Sequence, residues 1–444
     1  MCYILDTTIH LPKKATHPFI KELLFNYTPG KDWNVLYDAE ENSITVGDFE
    51  KAASENGEYV VNVTAGGVYI KGLNYSALMR GFMTFLNRIK CLDPGVFALD
   101  ICSLREKPLI NFRAVHLCIF PETKLDFFRK CVRSCAISKY SHIVFEFWGM
   151  LKYDCMQELA WPFAFSKAQI KEIVAEANAL GVEIIPMFNH LGHASACREI
   201  HGKHVVLDQN PTLSYMFDSY GWIWNFKRED VYTLLRKIRE ELIDVCGDGK
   251  WFHLGCDEAY AIGKSEQSAL EMAEYLNKVS AELKENGRRG IIWHDMLLPQ
   301  NEFDSYYAYS DKAVSEILLN KLDKNLLLAD WQYTVHNELW KTSEALKSRG
   351  FDVVCCPWHN PKNIHEALDT VTTHNLFGVM HTTWNTLQHG FKEMVYGGVI
   401  YYGADRNDVD IQRFYCASVA RVAMPSNGKY EKSGWVETST GPGL

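Results

Sequence analysis

The first hundred residues alternate short apolar runs with turns rich in glycine and asparagine. Four of the runs have the length and pattern of β-strands: Trp33–Tyr37, Ser43–Val46, Tyr59–Val63 and Gly67–Ile70. The next segment, Tyr75–Ile89, has its apolar residues at helical spacing. We therefore predict a small α+β domain over residues 1–105.

Beyond this region the pattern changes to a regular alternation of strand-like and helix-like segments. The strand-like runs are Arg113–Ile119, His142–Phe147, Glu183–Phe188, Trp251–Gly255, Gly290–Met296, Leu326–Trp331, Asp352–Pro357 and Gly378–Thr383. The helical patterns are Leu125–Lys139, Lys167–Leu180, Glu229–Val245, Glu266–Glu285, Asn337–Ser348, Asn363–His374 and, last, Val409–Ala423. About eight strands, most followed by a helix, predict a (β/α)8 TIM barrel. We place this barrel at residues 106–425 and a C-terminal tail at residues 426–444.

An open, doubly wound sheet is the alternative architecture. Such a sheet usually carries a glycine-rich phosphate-binding turn after its first strand, and Arg113–Glu122 contains no glycine. One connection, Ala194–Lys227, is too long for a plain loop. We predict that it is an insertion at the active-site end of the barrel.

Composition narrows the class of protein. The 444 residues are 47% hydrophobic and 23% charged, which is typical of a globular protein. A net charge of −9, with no long Lys/Arg run, argues against a nucleic-acid or membrane-surface partner. The sequence MCYILDTTIH does not resemble a signal peptide, and many of the 13 cysteines lie in apolar runs. We therefore expect a cytoplasmic protein. The sequence leaves its oligomeric state open, and a homodimer is one possibility.

Polar and aromatic residues are concentrated where the predicted strands end. They are Glu146, Trp148, Asn189, His190, His193, Asp257, Glu258, Trp293, Asp295, Asp330, Trp331, Tyr333, Trp358, His381 and Trp384. A loop that begins at each strand end would explain Asp and Asn, but it explains the repeated tryptophans poorly. Because the carboxyl ends of barrel strands carry the active site, we predict a pocket with aromatic walls there.

The most specific element is the adjacent carboxylate pair Asp257 and Glu258, which follows an apolar strand and a glycine. Adjacent side chains diverge, so they are poorly placed to flank one bond as independent acid and nucleophile. They suit a sugar whose own 2-acetamido group attacks the anomeric carbon: one carboxylate orients the acetamide, and the other serves as acid and then as base. Most adjacent Asp-Glu pairs lie on the solvated protein surface. The apolar strand and the glycine that precede this pair argue against a surface location.

The segment His253-Leu-Gly-Cys-Asp-Glu258 resembles the His-x-Gly-Gly-Asp-Glu signature of glycoside hydrolase family 20, the β-N-acetylhexosaminidases. The cysteine before the aspartate is similar to that of the small, intracellular hexosaminidase D type. The resemblance implies a metal- and cofactor-independent, retaining exo-β-N-acetylhexosaminidase. Its substrate would be a glycan with a terminal β-linked N-acetylglucosamine or N-acetylgalactosamine, hydrolysed through an oxazoline intermediate.

The same resemblance implies a role for each site residue. Glu258 would be the general acid/base, and Asp257 would orient the acetamide and stabilise the oxazolinium-like intermediate. His193, in Asn189-His-Leu-Gly-His193, would support the acid/base. Residues implied to contact or enclose the sugar are Arg113, which would grip its hydroxyls, Tyr333, which would donate to the acetamide oxygen, and Trp293, Asp295, Trp331 and Trp384 of the wall motifs.

Purely structural roles, without contact to a substrate, remain open for three of these residues. Trp293 could be plain core, Tyr333 could satisfy its hydroxyl against the backbone, and Arg113 could be an ion-pair partner of Glu146 or Asp257.

Two departures from the family pattern affect the expected site. The second strand ends in Phe145-Glu146-Phe147-Trp148, where many members have paired aspartates, and Glu146 is our candidate to support His193. The last strand ends in Trp384-Asn385-Thr386, where the family often has Trp-x-Glu. In the family, that glutamate recognises the far hydroxyl groups of the sugar. Its absence here predicts a pocket that accepts the galacto epimer.

Two other classes of function remain as alternatives. A metal-dependent barrel hydrolase or isomerase could draw ligands from His190, His193, His201, His204, His253, His294, Asp295 and His381. None of these residues has a paired ligand spacing such as His-x-His, and a single histidine near a strand end is more often hydrogen-bonded core. A catalytically inactive carbohydrate-binding barrel is disfavoured because Asp257 and Glu258 are intact.

Overall fold

The N-terminal region contains two β-sheets and two helices. The computed structural model describes residues 1–51, 57–195, 202–303, 305–384, 386–411 and 419. The elements before the barrel are β1 (Cys2–Ile4), β2 (Thr8–Pro12), α1 (Pro18–Tyr27), β3 (Asn34–Ala39), β4 (Ser43–Gly47), β5 (Tyr59–Val63), β6 (Gly67–Gly72), α2 (Tyr75–Asn87), β7 (Lys90–Asp93), β8 (Val96–Asp100) and β9 (Cys102–Glu106). Six strands form a sheet of order β3-β2-β4-β6-β5-β9, and the other three form a sheet of order β1-β8-β7.

The four predicted strands and the predicted helix of this region correspond to β3–β6 and α2. Asn74 begins α2 by accepting a hydrogen bond from the Ala77 amide, as an N-cap residue does. Gly81 lies in the middle of this helix because a Cβ there would come within 2.9 Å of Ile70 and 3.2 Å of the Tyr59 ring. The glycine therefore allows α2 to pack closely on the sheet.

Eight parallel strands close into a barrel, which confirms the predicted fold class. They are β10 (Phe112–Ile119), β11 (His142–Phe147), β12 (Glu183–Met187), β13 (Trp251–His253), β14 (Arg289–Trp293), β15 (Leu327–Trp331), β16 (Asp352–Cys356) and β17 (Gly378–Thr383). The barrel closes where β17 pairs with β10, with Val115 opposite His381. All eight predicted runs are strands, and their bounds differ from the prediction by at most three residues.

Helices and short turns connect the barrel strands. The helices are α3 (Leu125–Ile137), α4 (Lys167–Ala179), α5 (Val206–Gln209), α6 (Glu229–Cys246), α7 (Glu266–Glu285), α8 (Lys312–Lys321), α9 (Lys341–Ser348), α10 (Pro361–His374) and α11 (Leu387–Tyr402). The region predicted as an insertion follows β12 and contains α5 and a 3-10 turn over Pro211–Met216. None of the described helices is both long and apolar enough to cross a membrane.

Besides the short α5, two helices differ from the prediction. The pattern did not predict α8, nor α11, which follows β17; the predicted helix Val409–Ala423 lies largely outside the described residues. Three glycines (Gly390, Gly397 and Gly398) lower the helical propensity of α11. At Gly398 a Cβ would lie 2.6 Å from the Tyr140 ring and 2.7 Å from the Ser138 carbonyl oxygen. Close packing against the barrel therefore requires a residue that disfavours the helix locally.

Candidate active site

A pocket of about 650 Å³ opens at the carboxyl ends of the barrel strands. Among the described residues, seven aromatic side chains line it: Phe120, Trp148, Trp161, Trp331, Tyr333, Trp358 and Trp384. The described acidic and basic side chains that line it are Glu122, His193, Lys203, Asp257 and Glu258. Its size and its mixture of apolar walls with a few polar groups are typical of a small-molecule site.

The turn after β13 sets the two adjacent carboxylates in different directions. Gly255, Cys256 and Glu258 all have left-handed backbone angles, with φ of 68°, 77° and 53°. A side chain at a left-handed position costs about 1–2 kcal/mol, so this turn is held by its surroundings. Its restraints include the Trp293 amide, which donates to the Gly255 carbonyl oxygen at 2.9 Å.

Asp257 points into the protein and is almost fully buried. Asn189 Nδ2 donates to its Oδ1 at 2.7 Å, while His193 Nε2 and Lys203 Nζ lie 3.2 and 3.3 Å from its Oδ2. Burial would raise the pKa of Asp257, but the charges of Lys203 and His193 outweigh it and hold this pKa below its usual range. Asp257 is therefore an anion with a fixed orientation at the base of the pocket.

Glu258 is the more accessible carboxylate, with 24% of its side chain exposed. Its Oε2 lies 3.1 Å from His193 Nε2. Its backbone is held on both sides, because its amide donates to Asp295 Oδ2 and its carbonyl oxygen accepts from Trp222 Nε1, each at 2.8 Å. An accessible carboxylate on a restrained backbone can exchange a proton with a bound substrate.

His193 lies between the two carboxylates. It has a left-handed backbone (φ 57°), and its ring lies 4.4 Å from the Trp222 ring. Burial would lower its pKa, but the Asp257 charge and the hydrogen bonds to Asp257 and Glu258 raise it to about 9. His193 is therefore an imidazolium near neutral pH and links the two groups electrostatically.

Asp295 and Trp293 lie behind the pocket surface. Asp295 Oδ1 accepts from Trp331 Nε1 at 3.1 Å, so one buried carboxyl holds both the Glu258 backbone and the Trp331 ring. Burial and the Asp257 charge raise the pKa of Asp295 to about 8. Trp293 is buried beneath Trp384, with ring centroids 5.8 Å apart, so it supports the wall and is not part of its surface.

Trp331, Tyr333 and Trp384 form one continuous aromatic wall. The rings of Trp331 and Tyr333 stack 5.2 Å apart, and the Trp384 indole N–H donates to the Tyr333 hydroxyl oxygen. The edge of Trp358 closes this wall, 5.3 Å from Tyr333. The Tyr333 hydroxyl is also hydrogen-bonded to the Thr382 side chain, so two neighbours fix its position at the pocket wall.

Two sequence expectations are corrected by the positions of the residues. Arg113 is the second residue of β10, so it lies at the opposite end of the barrel, about 20 Å along the strand from the pocket. It donates there to the carbonyl oxygens of Ile110, Asn111 and Lys139. Glu146 does not support His193; it is fully buried and lies 2.8 Å from Lys203 Nζ.

Lys203 was not predicted from the sequence. Its ammonium is 1% exposed and lies between Glu146 and Asp257. It follows a segment, residues 196–201, that lies outside the described residues together with the candidate ligand His201. The one feature of the sequence that could have indicated a role for Lys203 is its place in the long insertion after β12. A pattern of apolar positions does not show which loop lysine turns inward.

The candidate metal ligands do not converge in the described part of the chain. His190 donates from Nδ1 to the Phe188 carbonyl oxygen and accepts at Nε2 from Arg239. His294 contacts Asp330, and His204 stacks on Phe188. A different group, His116, Cys118 and Glu146, has ligand atoms within 4.8 Å of one another. The Lys203 ammonium next to Glu146 would repel a metal cation, so we interpret the group as mutual hydrogen-bond partners.

A larger groove of about 910 Å³ lies at the other end of the barrel, next to Asn111, Lys139 and Tyr402. Among the described residues that line it, the one carboxylate is Glu106, which is paired with Lys139. That end of a TIM barrel serves stability rather than catalysis. The carboxylate pair therefore marks the smaller pocket as the candidate active site.

Comparison with known proteins gives the same class. The model of the "Glycosyl hydrolase family 20, catalytic domain" matches residues 146–361. Hexosaminidase D of Bos taurus is 22% identical over 273 residues, which cover 56% of this chain and 76% of that protein. Hexosaminidase D of Homo sapiens is 22% identical over 275 residues, 56% of this chain and 54% of that protein, so the match spans about half of the human relative.

Solved structures share the fold over nearly the whole chain. The chitobiase of Flavobacterium johnsoniae superposes with a TM-score of 0.68 at 15% identity, covering 98% of this chain and 71% of that one. The β-N-acetylhexosaminidase of Bacteroides fragilis superposes with a TM-score of 0.61 at 13% identity, covering 98% and 90%. The solved structures support the barrel fold, and the family match over residues 146–361 supports a TIM-barrel glycoside hydrolase. Residues 146–361, just under half of the chain, are similar to the catalytic domain of glycosyl hydrolase family 20.

Proposed function

We propose that this protein is a retaining exo-β-N-acetylhexosaminidase that removes terminal β-linked 2-acetamido sugars with the help of the substrate's own acetamide. The observation that carries the proposal is the division of roles between Asp257 and Glu258. Asp257 is buried and restrained, and Glu258 is exposed to the pocket, although the two residues are adjacent. A buried anion suits an orienting role, and an accessible carboxyl suits proton transfer.

In the first step, protonated Glu258 donates its proton to the glycosidic oxygen. The acetamide carbonyl oxygen attacks the anomeric carbon as the bond to the aglycone breaks, and an oxazolinium ring forms. Asp257 accepts a hydrogen bond from the acetamide N–H and stabilises the positive charge that develops there. The Tyr333 hydroxyl donates to the acetamide oxygen and aligns it for the attack.

In the second step, a water molecule attacks the anomeric carbon and gives up its proton to Glu258. The ring opens, the acetamide is restored, and the product sugar leaves with the configuration of the substrate. His193 remains within 3.1–3.2 Å of both carboxylates. It can therefore offset the negative charge of Glu258 between the two steps.

The far side of the sugar meets a pocket wall with few acidic groups. Among the described lining residues the carboxylates are Glu122, Asp257 and Glu258, and Thr386 lies where the family often has glutamate. Asn385, next to it, lies outside the described residues. We therefore propose that the pocket accepts both the gluco and the galacto epimers. The eleven free thiols of the described chain suit a reducing compartment, and we place the enzyme in the cytoplasm.

The test is hydrolysis of paired chromogenic β-GlcNAc and β-GalNAc glycosides and of the β-glucoside that lacks the acetamide. We expect turnover of both acetamido sugars, at rates within about tenfold of each other. The plain glucoside should react at least about a hundredfold more slowly. A thiazoline mimic of the cyclised intermediate should inhibit at least about a hundredfold more tightly than substrate binds.

Glu258→Gln and Asp257→Asn are the matched variants. Glu258→Gln should lose about 10²–10⁴-fold on aglycones that need a proton and much less on nitrophenyl leaving groups. Equal hydrolysis of the plain glucoside would exclude acetamide participation. Folded wild-type protein that hydrolyses neither acetamido sugar would overturn the proposed function.

A further inference from the structure

A buried lysine lies directly behind the proposed acetamide site. Lys203 Nζ lies 2.8 Å from Glu146 Oε1 and 3.3 Å from Asp257 Oδ2. The Trp148 and Trp384 rings flank it, with centroids 5.4 and 5.1 Å from Nζ. A buried ammonium is expensive to desolvate and persists only where anions compensate it. Lys203 meets that condition with one carboxylate of the site and one outside it.

The contacts of Asp257 leave little freedom to its carboxylate. Asn189 holds Oδ1, while His193 and Lys203 hold Oδ2 from two directions. An acceptor that is restrained at both oxygens presents its remaining lone pairs in a fixed direction. Lys203 is the restraint that comes from the insertion after β12, and the other two come from the residues that directly follow this strand.

Glu146 anchors Lys203 from behind. Its Oε2 accepts from Trp148 Nε1 at 3.0 Å, and it lies 3.0 Å from His116 Nε2 and 3.2 Å from Cys118 Sγ. Its Oε1 faces the ammonium. Glu146 does not line the pocket, so its effect on the substrate must pass through another residue. The charges then alternate in one row, in the order Glu146, Lys203, Asp257 and His193.

We propose that Lys203, anchored by Glu146, is a positioning residue that holds Asp257 as a correctly oriented anion for the acetamide N–H. This inference rests on the proposed function and adds a requirement to it. Without the ammonium, Asp257 Oδ2 would lose one of its two cationic partners, and this buried carboxylate would take up a proton or turn away. In either case it would no longer accept the acetamide hydrogen bond. Lys203 should therefore affect the cyclised intermediate more than the binding of the sugar.

The experiment compares Lys203→Met, Glu146→Gln and the double variant Glu146→Gln/Lys203→Met. Methionine keeps the length and the apolar stem but has no charge. We expect Lys203→Met to lower kcat on β-GlcNAc about a hundredfold with KM changed less than about threefold. Inhibition by the thiazoline should weaken about a hundredfold, while inhibition by the product sugar changes little. A general loss of packing would not lower kcat and weaken thiazoline inhibition while KM and product inhibition stay nearly unchanged.

The double variant separates the two partners of the lysine. If Lys203 only neutralises Glu146, removing both charges restores kcat, and recovery to within about threefold of wild type would overturn the proposal. If it acts on Asp257, the double variant stays impaired. Wild-type kcat in Lys203→Met would overturn the proposal as well. Should that single variant fail to fold, the double variant, which has no uncompensated Glu146 charge, still gives the answer.

Lys139→Met is the matched control. Lys139 is also paired with a carboxylate, 3.0 Å from Glu106 Oε2, but its side chain is 13% exposed and it lies at the opposite end of the barrel. The Lys139→Met substitution should lower the free energy of unfolding and leave kcat and thiazoline inhibition unchanged. Absence of acetamido-sugar turnover in the wild type would be a failure of the proposed function. Normal wild-type turnover with an unaffected Lys203→Met would be a failure of this inference alone.

Discussion

At the scale of single residues, the site depends on groups whose charge is set by their neighbours. His193 Nε2 lies within 3.2 Å of Asp257 and 3.1 Å of Glu258, and Asp295 accepts the Glu258 amide. The motifs placed His193, Asp257, Glu258, Trp331, Tyr333 and Trp384 at strand ends, and the structure brings them into one pocket. The motifs did not show that Lys203 joins them, because its contacts cross more than fifty residues of sequence.

The raised pKa of His193 predicts a pH-dependent contribution to stability. A group whose pKa rises on folding stabilises the folded state below its unfolded pKa, and this contribution is lost as the pH rises through the folded value. For His193 the window is from about pH 6.5 to about pH 9. The contribution is up to about 3 kcal/mol.

Urea unfolding of wild type and His193→Gln across this window measures the effect. The difference in the free energy of unfolding should shrink as the pH rises from 6.5 to 9. Taking the difference between the two proteins cancels the contribution of Asp295, whose raised pKa acts in the same direction between about pH 4 and 8. A difference that does not change with pH would contradict the assigned imidazolium.

At the scale of elements, β10 separates two kinds of function along one strand. Its carboxyl end leads to Phe120 in the pocket wall, and its amino end carries Arg113. Arg113 closes the other end of the barrel by donating to three carbonyl oxygens and by lying 5.0 Å from the Tyr402 ring of α11. The direction of β10 places Arg113 at the amino end of the strand, and the motif resemblance did not take this direction into account.

Arg113→Ala should therefore affect stability and not catalysis. Removing the guanidinium leaves buried carbonyl oxygens without donors, so we expect a loss of about 3 kcal/mol in the free energy of unfolding. Per folded molecule, kcat/KM on β-GlcNAc should stay within about twofold of wild type. Denaturant unfolding and steady-state kinetics on the same preparation check both values. A raised KM with unchanged stability would instead return Arg113 to a sugar-binding role.

At the scale of the whole molecule, the N-terminal sheets and the barrel share buried contacts. The Arg133 guanidinium of α3 lies 3.7 Å above the Phe19 ring of α1 and pairs with Glu22 of α1 and Glu176 of α4. The Tyr75 hydroxyl of α2 donates to the Ala179 carbonyl oxygen at 2.7 Å. Such contacts couple the stability of the two regions, and we propose that they unfold together.

Phe19→Ala tests this coupling from the N-terminal side. Removing a ring that is 1% exposed should cost about 3–5 kcal/mol. In calorimetry we expect a single transition that moves to lower temperature, with barrel tryptophan fluorescence changing at the same temperature. Two transitions, with the barrel signal unmoved, would show that the regions fold independently.

The sequence by itself determined the alternation of strands and helices and the chemistry at the strand ends. Both are local properties: the period of apolar positions reports backbone conformation, and the segment His253–Glu258 is contiguous. The eight strands of the barrel were therefore predictable, as was the pairing of Asp257 with Glu258.

The tertiary structure alone decided which distant side chains meet. It placed Arg113 away from the pocket, turned Lys203 inward between Glu146 and Asp257, and stabilised α11 despite its glycines. Each outcome depends on contacts between segments far apart in the chain, where burial and charge compensation outweigh local propensity. The period of apolar positions carries no information on such contacts, because it describes each segment separately.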